Sequence, residues 1–212
     1  MEIDNKILKH VKKEKWYHGT TLEGFKSILS KGVIVDYNKG TELDFGFGFY
    51  LTPEFEQAER YIKKILEFDI KMNKELPMKD DEDSKIPVVI EFDFKPLAII
   101  AEEKYKFKSL NQYDDEFAEF VFFNRIENAY GENQHEYDMI FGVMSDSTPI
   151  ILIQQYRDNI ISKEEVIHQL KKTTSFKQLS LHRQELCDII KPTKAILIGL
   201  GKELNIDGYY IK

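Results

Sequence analysis

Apolar residues recur along the chain at two spacings, and the shifts between them sketch its elements. Leu22, Phe25, Ile28 and Leu29 share one face at helical spacing. Thr20 and Glu23 stand three apart ahead of them, as in a capping box, and Gly32 follows where a helix-ending glycine belongs. Thr52-Pro53 repeats the start signal: a capping hydroxyl, proline at the first helical position, then Glu54 and Glu56 against the helix dipole. Ala58, Ile62 and Ile65 continue that helix as a buried stripe. Pro87 to Phe94 joins a β-branched run to apolar–acidic alternation and reads as a half-buried strand. Asp114 to Arg125 is helical in pattern, with Phe117, Phe120, Val121 and Asn124 on one side. Tyr137 to Val143, the alternating Phe176 to Leu181, and Ala195 to Leu200 read as strands. Thr148-Pro149 and Ser162-x-x-Glu165 announce two more helices. Short strands and helices without a βαβ rhythm predict an α+β fold rather than a doubly wound sheet. Residues 71–85 and 129–136 read as loops within one domain spanning 1–212, not as linkers.

Composition and charge narrow the class. With 212 residues, 42% hydrophobic and 32% charged, the chain can bury a core without disulfides or metal. Lys and Arg number 30 against 37 Asp and Glu, a net charge of −7, which argues against non-specific coating of nucleic acid. A local basic groove stays open. The densest run, Lys9 to Lys15, is either a solvated face or the place where a nucleic-acid backbone would be met. The single cysteine, Cys187, cannot form an internal disulfide and sits in an apolar helical run, so a buried thiol in a reducing, cytoplasmic setting is expected. No run approaches 18 apolar residues, so no membrane span is expected.

The chain lacks most of the motifs that mark a known chemistry. No phosphate-binding Walker sequence, three-glycine dinucleotide fingerprint, paired-histidine zinc motif or Gly-x-Ser-x-Gly elbow occurs. His10, His18, His135, His168 and His182 are scattered and lack cysteine pairs, so no metal site is expected. Two segments stand out. Trp16-Tyr17-His18-Gly19-Thr20 runs from a strand end into a helix, and Asp44-Phe45-Gly46-Phe47-Gly48-Phe49-Tyr50-Leu51-Thr52-Pro53 is aromatic sequence loosened by glycine. Each sets an imidazole or phenol beside glycines, where a ligand can approach the backbone closely.

In this order and separation the two segments resemble the first two signatures of the His-Tyr-Glu class of ADP-ribosyltransferases, relatives of diphtheria toxin and the poly(ADP-ribose) polymerases. More specifically, they resemble a bacterial family of small proteins often encoded as toxins beside a small antitoxin. Phe117 to Arg125, Tyr137 to Gly142 leading to Ser145-Asp146, and Lys177-Gln178-Leu179-Ser180 extend the likeness over about residues 16–190. The resemblance implies a split α+β fold: two small, mostly antiparallel sheets around an NAD cleft, with surrounding helices. It implies an NAD-dependent mono-ADP-ribosyltransferase acting as a toxin or anti-phage effector, without a metal. The acceptor would be nucleic acid, RNA foremost, or protein, and a small antitoxin would be a partner. His18 would hold the adenosine ribose, the Gly19 backbone the carboxamide, and Tyr50 would stack on the nicotinamide ring. Thr20, Gly48 and Arg125 would complete the NAD-binding set.

The third signature departs from the pattern, since Gln178 stands where that class has a glutamate. An amide can accept a hydrogen bond from the reacting ribose but cannot offset positive charge or act as a base. Glu119, Asp138 or Asp146 would have to bring the missing carboxylate, the alternatives being a helix-face charge and a cap. Arg125 would clamp a phosphate or pair with an acid such as Asp138. Hydrolysis of NAD, or NAD binding without turnover, are the other readings.

Overall fold

The spacings resolve into eight helices and eight strands in a computed structural model that describes residues 5–39, 43–72, 82–128, 132–145, 149–172 and 174–207. The chain opens with α1 (Asn5–Val11), β1 (Lys15–Thr21) and α2 (Leu22–Lys31), then β2 (Phe49–Leu51) and α3 (Phe55–Met72). It continues with β3 (Pro87–Asp93), α4 (Pro96–Ala101), β4 (Phe107–Leu110), α5 (Asp115–Asn128) and β5 (Met139–Val143). Two helices, α6 (Pro149–Arg157) and α7 (Lys163–Leu170), precede β6 (Lys177–Leu181), α8 (Gln184–Ile189), β7 (Lys191–Leu197) and β8 (Lys202–Leu204). The architecture is α+β with two four-stranded sheets. Contacts divide the chain into two compact units, each assembled from three segments. Unit I takes residues 13–34, 51–95 and 188–212, and unit II takes 1–12, 35–50 and 96–187.

Unit I is built on the sheet β1-β3-β7-β8, antiparallel throughout. β3 is central, and Val88, Val89 and Ile90 are buried in succession, so this strand is covered on both faces rather than half-buried. Ala58 of α3 packs with Val89 and Ile198, flanked by Tyr17, Phe55 and Ile196. Two helix starts differ from their predicted positions because strand pairing claims the threonines. Thr20 stays in the β1 ladder opposite Val88, and Thr21 caps α2, its Oγ1 accepting from Gly24 N at 3.1 Å. Thr52 bridges Tyr17 through two 2.8 Å backbone hydrogen bonds, which leaves Pro53 ahead of α3 rather than at its first position. Ala58 and Ile62 are buried as expected, but Ile65 is exposed. Gly32 ends α2 at φ 78°, its N–H donating to Ile28 O.

Unit II carries the sheet β2-β6-β5-β4, in which β5 is antiparallel to β6 and parallel to β4. Every residue of β5 is buried, and α5 lays Phe117, Ala118, Val121 and Phe122 into a core with Phe45, Ile140, Ile153 and Val166. Asp114 caps α5 by accepting from Phe117 N, and Ser162 caps α7 by accepting from Glu165 N. α6 begins at Pro149, while Thr148 and Asp146 lie outside the described residues. Gln178 through Leu181 are all buried, so the alternation read in β6 does not separate a wet face from a dry one. β7 starts at Lys191, ahead of the predicted Ala195. Among the described residues no helix is long and apolar enough to cross a membrane.

Candidate functional site

Residues 44–48 precede β2 as irregular backbone, so their N–H and C=O groups need partners other than a ladder. Side chains of unit II supply them. Tyr50 Oη accepts from Phe45 N at 3.0 Å and donates to Gly46 O at 2.7 Å. Asn133 brackets Phe47, accepting from its N–H at 2.7 Å and donating to its carbonyl at 3.0 Å. Asn38 does the same to Gly48, at 2.9 and 2.7 Å. The glycines have steric reasons. Gly46 sits at φ 81°, where a Cβ would collide with Asn133, and a Cβ on Gly48 would lie 2.6 Å from Leu181 O.

Two histidines complete the bracket, and their partners fix their protons. His135 Nδ1 accepts from Tyr137 N, so Nε2 carries the hydrogen and donates to Phe45 O at 2.8 Å. His182 Nδ1 donates to Phe47 O at 2.8 Å, leaving Nε2 to accept from Ser180 Oγ at 2.8 Å. The rings meet edge to face, 4.6 Å between centroids. Burial first, then the neighbouring His135, pushes His182 down to about 3. His135 is lowered too, burial outweighing the Phe45 carbonyl. Both imidazoles are therefore neutral at neutral pH. Ser180 is fully buried, so the Ser180–His182 contact is a support and not an exposed nucleophile.

Asp44 anchors the start of the loop. Its Oδ1 accepts from Arg125 Nε at 2.9 Å, Arg125 Nη2 at 2.6 Å and Ser145 Oγ at 2.6 Å. Its Oδ2 accepts from Ser145 N at 2.9 Å and Gln178 Nε2 at 3.0 Å. Burial alone would raise this carboxyl, but the Arg125 charge and the Ser145 donors outweigh it and hold it below the usual carboxylate range. Gln178 Nε2 also donates to Val143 O at 3.2 Å. Arg125 thus has an acid partner, but it is Asp44. Asp138 instead pairs with Arg183 Nε at 2.5 Å and accepts from Lys106 N at 2.8 Å.

The residues predicted from sequence fall into both units. Gly48, Tyr50, Arg125 and Gln178 converge on residues 44–50 of unit II. His18, Gly19 and Thr20 lie on β1 of unit I. Alternation puts Tyr17 and Gly19 on the sheet face that meets α3, and partly exposed His18 on the opposite face with Trp16. Gly19 has a packing reason of its own, because a Cβ there would collide with the Ala58 carbonyl of α3. Glu119 is exposed on α5, and Asp146 is outside the described residues. Within the basic run, Lys13 pairs with Glu54, and Lys15 pairs with Glu91 and Asp93. Among the described residues no group of His, Cys, Asp and Glu side chains could hold a metal ion.

Sequence reasoning passed over Asp44 as a hub, and over Asn38, Asn133, His135 and His182 as braces. Asn133 and His135 stand in a stretch that reads as a plain polar loop. His182 carries no local signal at all. No curated protein and no solved structure matches the chain. A family model described as a protein of unknown function, DUF3990, matches residues 15–191, most of the chain, and the chain belongs to that family.

Proposed function

We propose that the chain is an NAD-dependent mono-ADP-ribosyltransferase that transfers ADP-ribose to a macromolecular acceptor, nucleic acid (RNA) before protein. The observation that carries this reading is the joint anchoring of Tyr50 and Gln178. They stand on neighbouring strands, β2 and β6, and both are tied to residues 44–46, one through Phe45 and Gly46 and the other through Asp44. Breaking the nicotinamide–ribose bond passes through an oxocarbenium-like state, in which a pinned leaving group and a fixed ribose contribute most. A braced aromatic ring suits the first task and a braced amide the second. His18 and Gly19 would take the adenosine ribose and the carboxamide. The acidic composition and the pairing of Lys13 and Lys15 with acids give the RNA acceptor no added support.

A second reading, NAD binding without turnover, is favoured by one specific observation. The buried carboxylate nearest the amide, Asp44, is consumed by Arg125, Ser145 and Gln178, and Asp138 by Arg183 and Lys106. Labelled NAD offered to the full chain with RNA, DNA and protein fractions separates the two. Nicotinamide release with label on a fraction supports the transferase. Saturable binding with no release supports the module, and no binding at all sinks both.

A further inference from the structure

Gln178 stands where the resemblance calls for a glutamate, and its surroundings give a reason. Nε2 lies 3.0 Å from Asp44 Oδ2 and 3.2 Å from Val143 O, and both oxygens only accept. The reverse orientation would press Oε1 against a carboxylate and a carbonyl and forfeit both hydrogen bonds. Asp44 cannot swing away to relieve such a clash, because Arg125 and Ser145 hold it through four further contacts. A glutamate at position 178 would set two carboxylates face to face in a buried place. With Asp44 present, only a donor fits there.

We propose that Asp44 is a positioning residue that fixes the polarity of the Gln178 amide, so that Oε1 serves a ligand group that donates, a hydroxyl, and rejects an anionic one. The ligand half rests on the NAD reading above; the orientation half does not. Oε1 is the amide atom left over once Nε2 has spent both hydrogens on Asp44 and Val143. A carbonyl-type oxygen takes the hydrogen of a sugar hydroxyl and repels phosphate or carboxylate oxygens. The Asp44–Arg125 pair therefore acts on a ligand only through Gln178.

Nitrogen-detected exchange and NAD titration on the full chain test this together. In the parent protein both side-chain amide protons of Gln178 exchange slowly. In Asp44→Asn they exchange at least about tenfold faster, since one strong acceptor is lost. Fast exchange of both protons in the parent, or no change in the variant, overturns the orientation, whatever NAD does. Gln178→Glu should melt earlier than the parent and bind NAD at least about tenfold more weakly. The double variant Asp44→Asn with Gln178→Glu moves the charge and keeps a donor–acceptor pair, so it should melt above Gln178→Glu and regain part of the NAD affinity. A double variant no better than Gln178→Glu in melting overturns the proposal. A parent that shows protected amide protons but never binds NAD keeps Asp44 as the positioning residue and removes the ribose as its ligand.

Discussion

Segments 16–20 and 44–50 look equally suspicious in sequence, yet they are held by different physics. The first is regular strand: His18 pairs across from Ile90, Gly19 from Val89 and Thr20 from Val88, so the ladder satisfies its backbone. Its glycine is needed by α3 before any ligand is considered. The second segment has irregular backbone from 44 to 48, and side chains from positions 38, 50, 133, 135 and 182 satisfy it. A ladder is cheap and common, whereas five side chains committed to one short loop cost conformational entropy that only a required geometry repays. What distinguishes unit II is therefore the braced loop, whereas residues 16–20 of unit I are an ordinary strand that carries the His18 imidazole at a partly exposed position.

The largest expected effect breaks that contrast at its anchor. Arg125→Leu leaves Asp44 with only neutral donors in a buried place, which should cost about 3–5 kcal/mol in denaturant unfolding. His18→Ala, on a partly exposed strand position, should change stability by less than about 1 kcal/mol. Equal losses for the two variants would abolish the distinction between a braced loop and an ordinary strand.

Gly19→Ala comes next. The added methyl meets the Ala58 carbonyl of α3, a backbone atom that cannot rotate aside, so unfolding should show a loss of about 1–3 kcal/mol. A silent substitution would mean that α3 has room to move, and would return Gly19 to a purely ligand-binding role.

How far the sequence carried can be judged from the same residues. Helical spacing located α5 because its buried face recurs every three to four residues. β5 is buried at every position and β3 and β6 over unbroken runs, so composition rather than a burial spacing marks them as strands. The caps at Asp114 and Ser162 act over three residues and were equally visible in principle. The starts of α2 and α3 moved because strand pairing of Thr20 and Thr52 is tertiary, and local capping rules do not see it. Asp44 lies 81 positions from Arg125 and 134 from Gln178. No spacing rule connects such partners, so the carboxylates legible as candidates were Glu119, Asp138 and Asp146, while the acid that bonds Gln178 stands at the head of the aromatic segment itself.

The histidine bracket gives a prediction with a sign. His182 is pushed down to about 3 in the folded chain, against an ordinary value near 6.5, and His135 is also lowered. Between those values the unfolded chain binds protons that the folded chain refuses. Through His182, stability therefore falls as pH falls from about 6.5 toward 3, by up to about 1.4 kcal/mol per pH unit. The lowered His135 contributes in the same direction, beginning below about 6.5. The lowered Asp44 adds a loss of the same sign, but only below its ordinary value of 3.8. His182→Asn keeps a donor for Phe47 O and removes the proton site, so unfolding curves between pH 6 and 4.5 should flatten by about one histidine's share. An unchanged slope would move the acid sensitivity away from the loop.

The smallest effect separates what Tyr50 does for the fold from the ligand contact proposed for it. Its hydroxyl holds Phe45 N and Gly46 O, while its ring lies nearly parallel to Phe45, 6.5 Å between centroids. Tyr50→Phe deletes the first function and keeps the second. It should cost about 1 kcal/mol of stability through two lost hydrogen bonds at a half-buried position. With the ring still in place, nicotinamide release at saturating NAD should drop by no more than about fivefold, the rate equivalent of that loosening. Tyr50→Ala removes ring and hydroxyl together and adds the loss of aromatic stacking, about 0.5–1.5 kcal/mol, and of leaving-group alignment. Its release rate should therefore fall well below that of Tyr50→Phe. If the two variants release nicotinamide equally slowly, the ring contributes nothing beyond its hydroxyl. Tyr50 would then be a brace of the loop like Asn38 and Asn133, and the surface that meets the leaving group would have to be sought among other side chains of unit II.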